Sequence, residues 1–190
     1  GPPADFCRSG NTFRPDEAER LTMRFEVVRG NIAEQSADVL VNAAGTSLRM
    51  GSGVAGALRR GAGEGINKEA MSKGPIDLGG VAVTDAYDLP AKWVIHAAAM
   101  PHYGDGQASE KSIREATRNT LAKADELGAE SLVIPALGCG VAGFDLADGA
   151  RLIAEEIAAY DPETLEDVRF IAYDEDEYET IRQVARDVLD

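Results

Sequence analysis

A chain of 190 residues, 44% of them hydrophobic, can bury one sizeable core and is too apolar to be disordered. Its formal net charge of −14 disfavours a nucleic-acid backbone as partner, because phosphates repel such a surface, and any anion site must then be built locally from backbone donors. No run is apolar enough to span a bilayer, and Cys7 and Cys139 lie in contexts that argue against a disulfide framework, so the expectation is a soluble, cytoplasmic protein with no membrane partner.

Gly1 to Thr22 show no periodicity. The leading Gly-Pro looks like a protease scar and Met23 like a natural first residue, so residues 1–22 read as an extension or tag remnant and 23–190 as a single domain. Arg24 to Arg29 alternate as a half-buried strand, ended by Gly30-Asn31-Ile32. Asp38 to Ala44 read as a short, fully buried strand. Helices are expected from Val54 to about Ala62 and from about Glu64 to Lys73, the second ending at Gly74-Pro75. Gly80–Thr84 and Lys92–Ala99 read as strands. Ser109 fits the N-cap of a long helix with Ile113, Ala116, Thr117, Leu121, Ala124 and Leu127 inward and Gly128 just past its end. Ser131 to Leu137 form a strand that Pro135, having no N–H, must loosen. Phe144-Asp145 open a helix, Val168 to Tyr173 form the last strand, and the acidic run Asp174 to Glu177 suits the start of the last helix. Strands alternating with helices give an α/β sandwich with a largely parallel sheet, whose ligands bind beyond the carboxyl ends of the strands.

Two glycine-rich loops lie at such ends. Gly51-Ser52-Gly53-Val54-Ala55-Gly56 and Gly138-Cys139-Gly140-Val141-Ala142-Gly143 both fit G-x-G-x-x-G, each after an apolar strand and before a helix. Glycines allow close backbone approach, and a helix start behind the loop adds free donors. A pair of such loops suits two phosphates, or one phosphate and a sugar. The default for the spacing is a dinucleotide site of a Rossmann-like NAD oxidoreductase. Against it, Gly45 to Met50 separate the first loop from its strand, no acidic residue ends a second strand about 20 residues on, and no room remains for a substrate domain. A P-loop fails because neither loop continues into Gly-Lys-Ser/Thr.

The pattern from about Met23 to Leu189 instead resembles the macrodomain family of ADP-ribose-binding modules. Gly30-Asn31-Ile32 stands where the family usually has Gly-Asp-Ile. Val41-Asn42-Ala43-Ala44 matches its Val-Asn-Ala-Ala, Gly51-Ser52-Gly53-Val54 its first loop, Val94-Ile95-His96 its usual strand, and Ile134-Pro135-Ala136 with Gly138 to Phe144 its second-loop motif. The resemblance implies a three-layer α/β/α sandwich around a central mixed sheet, with ADP-ribose or an ADP-ribosylated protein as partner and no metal or cofactor.

By that resemblance Asn31 reads the adenine amino group through its carbonyl oxygen, without the charge assistance of the family's Asp. Ile32 offers its backbone N–H and packs near the base. Asn42 belongs to the site through the Val-Asn-Ala-Ala match. Gly51, Ser52, Gly53 and Val54 hold the far phosphate and distal ribose, and Gly138, Cys139, Gly140, Val141 and Ala142 wrap the diphosphate. Phe144 packs on the distal ribose or, equally, staples the helix entry. Tyr173 stacks on adenine or is an ordinary edge tyrosine. Cys139 has no histidine beside it in sequence and reads as a small loop residue rather than a nucleophile; His96, in an apolar strand, reads as structural.

Members of this family include readers, mono-ADP-ribosyl hydrolases and ADP-ribose-1″-phosphate phosphatases. Hydrolytic members usually carry a second Asn where Gly45 stands, an acidic residue in some where Ala55 stands, and an aromatic in several where Ala142 stands. These departures remove side chains that would position a ribose or water. The expectation is therefore a binder, with hydrolase or phosphatase activity as the alternative and an oxidoreductase behind both. No catalytic residue is assigned.

Overall fold

The computed structural model describes residues 23–102 and 105–190. The expected N-terminal extension lies outside the described residues. Six strands form one sheet in the order β1-β6-β5-β2-β4-β3, where β1 is Arg24–Arg29, β2 Val39–Gly45, β3 Val81–Asp85, β4 Trp93–Met100, β5 Ser131–Ile134 and β6 Asp167–Ala172. Every pairing is parallel except β3 with β4, so the expected mixed, largely parallel sheet is present.

Five α-helices are described: α1 Gly53–Ala62, α2 Gly65–Ser72, α3 Glu110–Glu126, α4 Leu146–Ala159 and α5 Glu175–Leu189. Alternation along the strands sorts their side chains between two faces. On one face Leu40, Ala44 and Val94 meet Leu58 of α1 and Ile66 of α2. On the other, Val39, Val41 and Ile95 meet Ile113 of α3, Ile153 of α4 and Ile181 of α5. Two apolar cores sandwich the sheet, and this gives the three layers. Each fully buried Leu or Ile stabilises the fold by about 1.5–3 kcal/mol relative to an exposed one.

The helix ends follow local chemistry. Ser109 and Ser112 form a capping box at α3, each side chain bonding the other's backbone N–H. Asp145 and Asp174 cap α4 and α5 by accepting from Asp148 N–H and Glu177 N–H. Gly128 follows α3 with φ +78°, a conformation that favours glycine. Near this end Asp125, on the last turn of α3, gathers five donors: the Tyr160 and Thr164 hydroxyls and the N–H groups of Glu163, Thr164 and Leu165. Burial alone would push the Asp125 carboxyl up; the bonds from Tyr160 and the three N–H groups outweigh it and hold it below its ordinary value. This carboxylate ties α3 to the loop that feeds β6.

Candidate functional site

Strands β2 and β5 pair only at Val39–Leu132 and Leu40–Val133. Strand β5 stops at Ile134, because Pro135 has no N–H to continue the ladder, while β2 runs on beside β4 to Gly45. From β2 the chain runs out to the edge strand β3 and back to β4 on one side of β2; with β5 it crosses to the other side. Such a reversal leaves a crevice at the carboxyl ends of the strands. A cleft of about 600 Å³ opens there, floored by Ala43 and Ala44 of β2 and by Pro135 and Ala136 after β5.

The first glycine loop and one face of α1 make one wall: Ser52, Gly53, Val54, Ala57 and Arg60. Gly53 has φ +64° and open space where a side chain would stand. Ser52 occupies the N-cap position of α1 without a side-chain capping bond, and the first turn carries no acidic residue. The N–H groups at the start of α1 thus face the cleft with a positive dipole end and no competing side chain. The loop is braced from behind, since Arg59 donates to Met50 O at 2.8 Å and the Met50 N–H donates to Asn67 Oδ1 at 2.8 Å.

The second loop supplies Gly138, Cys139, Gly140 and Ala142 to the other wall. Gly138, at φ +77°, could not carry a Cβ, which would stand 2.8 Å from both Ala108 Cβ and Ile113 Cγ1. The loop closes on itself, with Phe144 N–H donating to Gly138 O and Gly143 N–H to Gly140 O. Cys139 N–H donates to Ala136 O, so this expected donor is already engaged. Burial, reinforced by Glu177 and Asp145, pushes the Cys139 thiol up to about 12, which keeps it protonated and poorly nucleophilic.

The far end of the cleft is lined by Asn31 and Ile32, from the turn after β1, with Ile171, Tyr173 and Glu177. Tyr173 is three-quarters exposed, just past the end of β6. Its backbone N–H donates to Glu177 Oε1 at 2.6 Å. Asn31 is the N-cap of the 3-10 turn Ile32–Glu34, and its Oδ1 accepts from Ala33 N–H at 2.9 Å. The carbonyl oxygen expected to meet an amino group is therefore bonded to the protein's own backbone.

The cleft thus collects Asn31, Ile32, Ser52, Gly53, Val54, Gly138, Cys139, Gly140, Ala142 and Tyr173 from the residues expected in a site. Asn42, Gly51 and Phe144 are not in its lining. Asn42 points into the α1/α2 layer, 1% exposed, where Nδ2 donates to His96 Nδ1 at 3.0 Å. His96 Nε2 lies 2.9 Å from Thr84 Oγ1, which donates in turn to Asp85 O. This pattern requires neutral His96 with its proton on Nε2. Burial holds the ring down at about 4, with Glu69 pulling it up and Lys73 pushing it down. Phe144 packs inward on α4, its Cδ2 3.4 Å from where a Gly149 Cβ would stand, as a staple at the helix entry. Val141 belongs to the 3-10 turn Gly140–Ala142. Gly51 lies outside the lining, but its carbonyl would be 2.9 Å from a Cβ on Gly56, so Gly56 lets the loop fold onto its helix.

Arg60 and Glu177 were not foreseen. Among the described residues Arg60 is the only cation in the lining, and it has no ion pair there. It shares a helix face with Gly53 and Ala57, a spacing that could have found it. Among the described residues no group of three metal-ligating side chains gathers, and no helix is long and apolar enough to cross a membrane.

The Macro domain family model matches residues 41–153. A protein from Aquifex aeolicus is 40% identical over 162 residues, covering 85% of this chain and 98% of that one. A macro domain-containing protein from Streptomyces griseus is 35% identical, covering 83% and 92%. A Mycobacterium tuberculosis protein is 40% identical over 87% of this chain, which spans only 45% of that relative's length. Among solved structures, the Trypanosoma brucei macrodomain in complex with ADP superposes with TM-score 0.78 at 27% identity, covering 90% of this chain and 73% of that one. The same protein in complex with ADP-ribose gives 0.77 at 27% identity, covering 86% and 70%. An Oceanobacillus iheyensis macrodomain variant gives 0.79 at 23% identity, covering 89% and 96%, a likeness of fold.

Proposed function

Because the chain belongs to the macrodomain family, we propose that its cleft binds ADP-ribose, free or linked to a protein, and that it reads this group rather than cleaving it. The observation that carries the proposal is the pair of glycine loops facing each other across one cleft at the carboxyl ends of the strands, with the uncapped start of α1 on one wall. Such a wall suits phosphate oxygens in a protein whose surface is otherwise strongly acidic. The ADP and ADP-ribose complexes of the Trypanosoma brucei macrodomain support the same ligand class. The reading treats residues 23–190 as one domain. The loops are braced by their own hydrogen bonds before any ligand arrives, which limits the ordering cost of binding.

Reading without turnover follows from what the lining lacks. A general base must reach the attacking water with a pKa near neutrality. Among the described residues, the titratable side chains of the lining are Arg60, Cys139, Tyr173 and Glu177. Cys139 stays protonated, and the only carboxylate of the lining among the described residues is Glu177, whose Oε1 accepts from Tyr173 N–H. Ala55 is buried in the α1/α2 core rather than lining the cleft. At Gly45 a Cβ would stand 3.1 Å from Pro101 O, so an Asn there would crowd the neighbouring backbone.

Calorimetric titration tests the proposal. ADP-ribose should bind tightly and AMP much more weakly, because AMP cannot span both loops; NAD is the second control. Absence of ADP-ribose binding overturns the ligand. Release of ADP-ribose from a modified protein, abolished by Gly53→Glu, overturns the reader and restores a hydrolase.

A further inference from the structure

We propose that the α1 wall of the cleft holds a subsite for a third phosphate, carried as a monoester on the 2′-hydroxyl of the adenosine ribose, with the Arg60 guanidinium as its partner. The inference rests on the nucleotide reading above and concerns which nucleotide. Helix α1 carries two consecutive arginines with different fates. Arg59 is committed to the fold: it donates to Met50 O and to both carboxylate oxygens of Glu64. Arg60 is exposed and lines the cleft, and its guanidinium has neither a hydrogen bond nor an ion pair among the described residues. Acidic side chains outnumber basic ones 33 to 19, so partners for an arginine are plentiful in this chain, yet this one is left open.

Position decides what the free guanidinium can meet. Helix α1 starts at Gly53 in the first glycine loop. Two turns on, Gly61 packs against the turn after β1, where a Cβ on it would stand 3.1 Å from Ala33 Cβ. The helix therefore runs from the phosphate end of the cleft to the end lined by Asn31 and Ile32. The Arg60 side chain leads back along it, as helical side chains do, and Nη1 lies 3.3 Å from the point where a Cβ on Gly56 would stand. At 1.5 Å per residue, Gly56 is about 4.5 Å along the axis from Gly53 and about 7.5 Å short of Gly61. The guanidinium thus stands between the two ends of the cleft.

In ADP-ribose the part between base and diphosphate is the adenosine ribose. The diphosphate is met by the backbone donors of the two loops, and the neutral ribose hydroxyls give a guanidinium no charge to answer. A phosphomonoester at the 2′ position brings a charge of about −1.5 to −2 and three strong acceptor oxygens. The planar fork of an arginine meets such a group with paired N–H donors. The acidic surface of this chain repels the added charge, so a preference for it has to come from a local cation in the lining.

The test compares ADP-ribose with ADP-ribose 2′-phosphate by calorimetry on the full chain and on Arg60→Gln. The parent guanidinium bonds nothing in the fold, so the substitution removes the charge without breaking an internal contact. In the parent chain the 2′-phosphate should bind about fivefold more tightly or better, and the advantage should shrink as salt is raised. In Arg60→Gln the ratio of the two affinities should fall by about fivefold or more, and in Arg60→Glu the 2′-phosphate should become the weaker ligand. A parent chain that binds ADP-ribose equally or better overturns the subsite while leaving the cleft a nucleotide site. So does a ratio unchanged in Arg60→Gln; an equal loss for both compounds would make Arg60 a partner of the diphosphate instead. If neither compound binds, the nucleotide reading itself fails and this inference fails with it.

Discussion

Acid should weaken this fold through His96. The ring is fully buried between Asn42 and Thr84, and its pKa falls from 6.5 to about 4. The unfolded chain takes up the proton as pH drops below about 6.5, whereas the folded chain resists until about 4. The stability contributed by the neutral ring is therefore complete above pH 6.5 and declines as pH falls through that window. Linkage over these two values gives a loss of about 2.5 kcal/mol between pH 7.5 and pH 4.5. Comparing the parent chain with a variant that differs only at His96 subtracts every other group that titrates in this range. Urea unfolding followed by the fluorescence of Trp93, the chain's single tryptophan, would be run at both pH values on the parent chain and on His96→Gln. Glutamine keeps a donor and an acceptor for Asn42 and Thr84 but does not titrate. The parent should lose about 2–3 kcal/mol more than the variant between the two conditions. Equal losses, within about 0.5 kcal/mol, would refute the neutral, hydrogen-bonded assignment of His96.

Other outcomes follow from the same structure. Gly138→Ala should lower the unfolding free energy by about 2–4 kcal/mol, from positive-φ strain plus overpacking against Ile113, and should weaken ADP-ribose binding; unchanged urea midpoint and affinity would contradict it. Asp125→Asn turns an NH2 toward a ring of donors and should cost about 2–3 kcal/mol in urea unfolding with ADP-ribose affinity intact, since Asp125 is outside the cleft. In a Cys7→Ser background, iodoacetamide at pH 8 should alkylate folded Cys139 roughly a hundredfold or more slowly than a free thiol, and rapid alkylation would return a reactive cysteine to the mechanism.

Much of the architecture was legible along the chain. Local signals are strong where one residue type has one physical consequence. Ser109 began a helix, Gly128 followed its end, and Pro135 stopped β5 because it has no N–H to donate. The glycine loops were visible because positive φ and close approach leave few alternatives to glycine. The cleft's chemistry was less legible where one atom had two candidate partners. Asn31 could have given its oxygen to a ligand or to Ala33, and only the 3-10 turn decides. Asn42 lies in the same motif as the cleft-floor residue Ala44 and on the same strand face. Only the neighbouring strand reveals that its amide is held by His96. Phe144 had an inward partner in Gly149, a residue whose lack of a side chain is silent in a periodicity pattern. Arg60 carried the signal of its helix face but no motif drew the eye to it.

The two-rung seam between β2 and β5 also has a mechanical meaning. On one side β1, β6 and β5 hold the second glycine loop; on the other β2, β4 and β3 hold the first. Backbone continuity across the sheet is thinnest where the cleft opens, and side-chain packing carries the load between the halves. A molecule gripping both loops acts there as a missing rung. It closes the zipper from the open end, and amide exchange should slow along the inner strands on both sides of the seam as well as in the loops it touches.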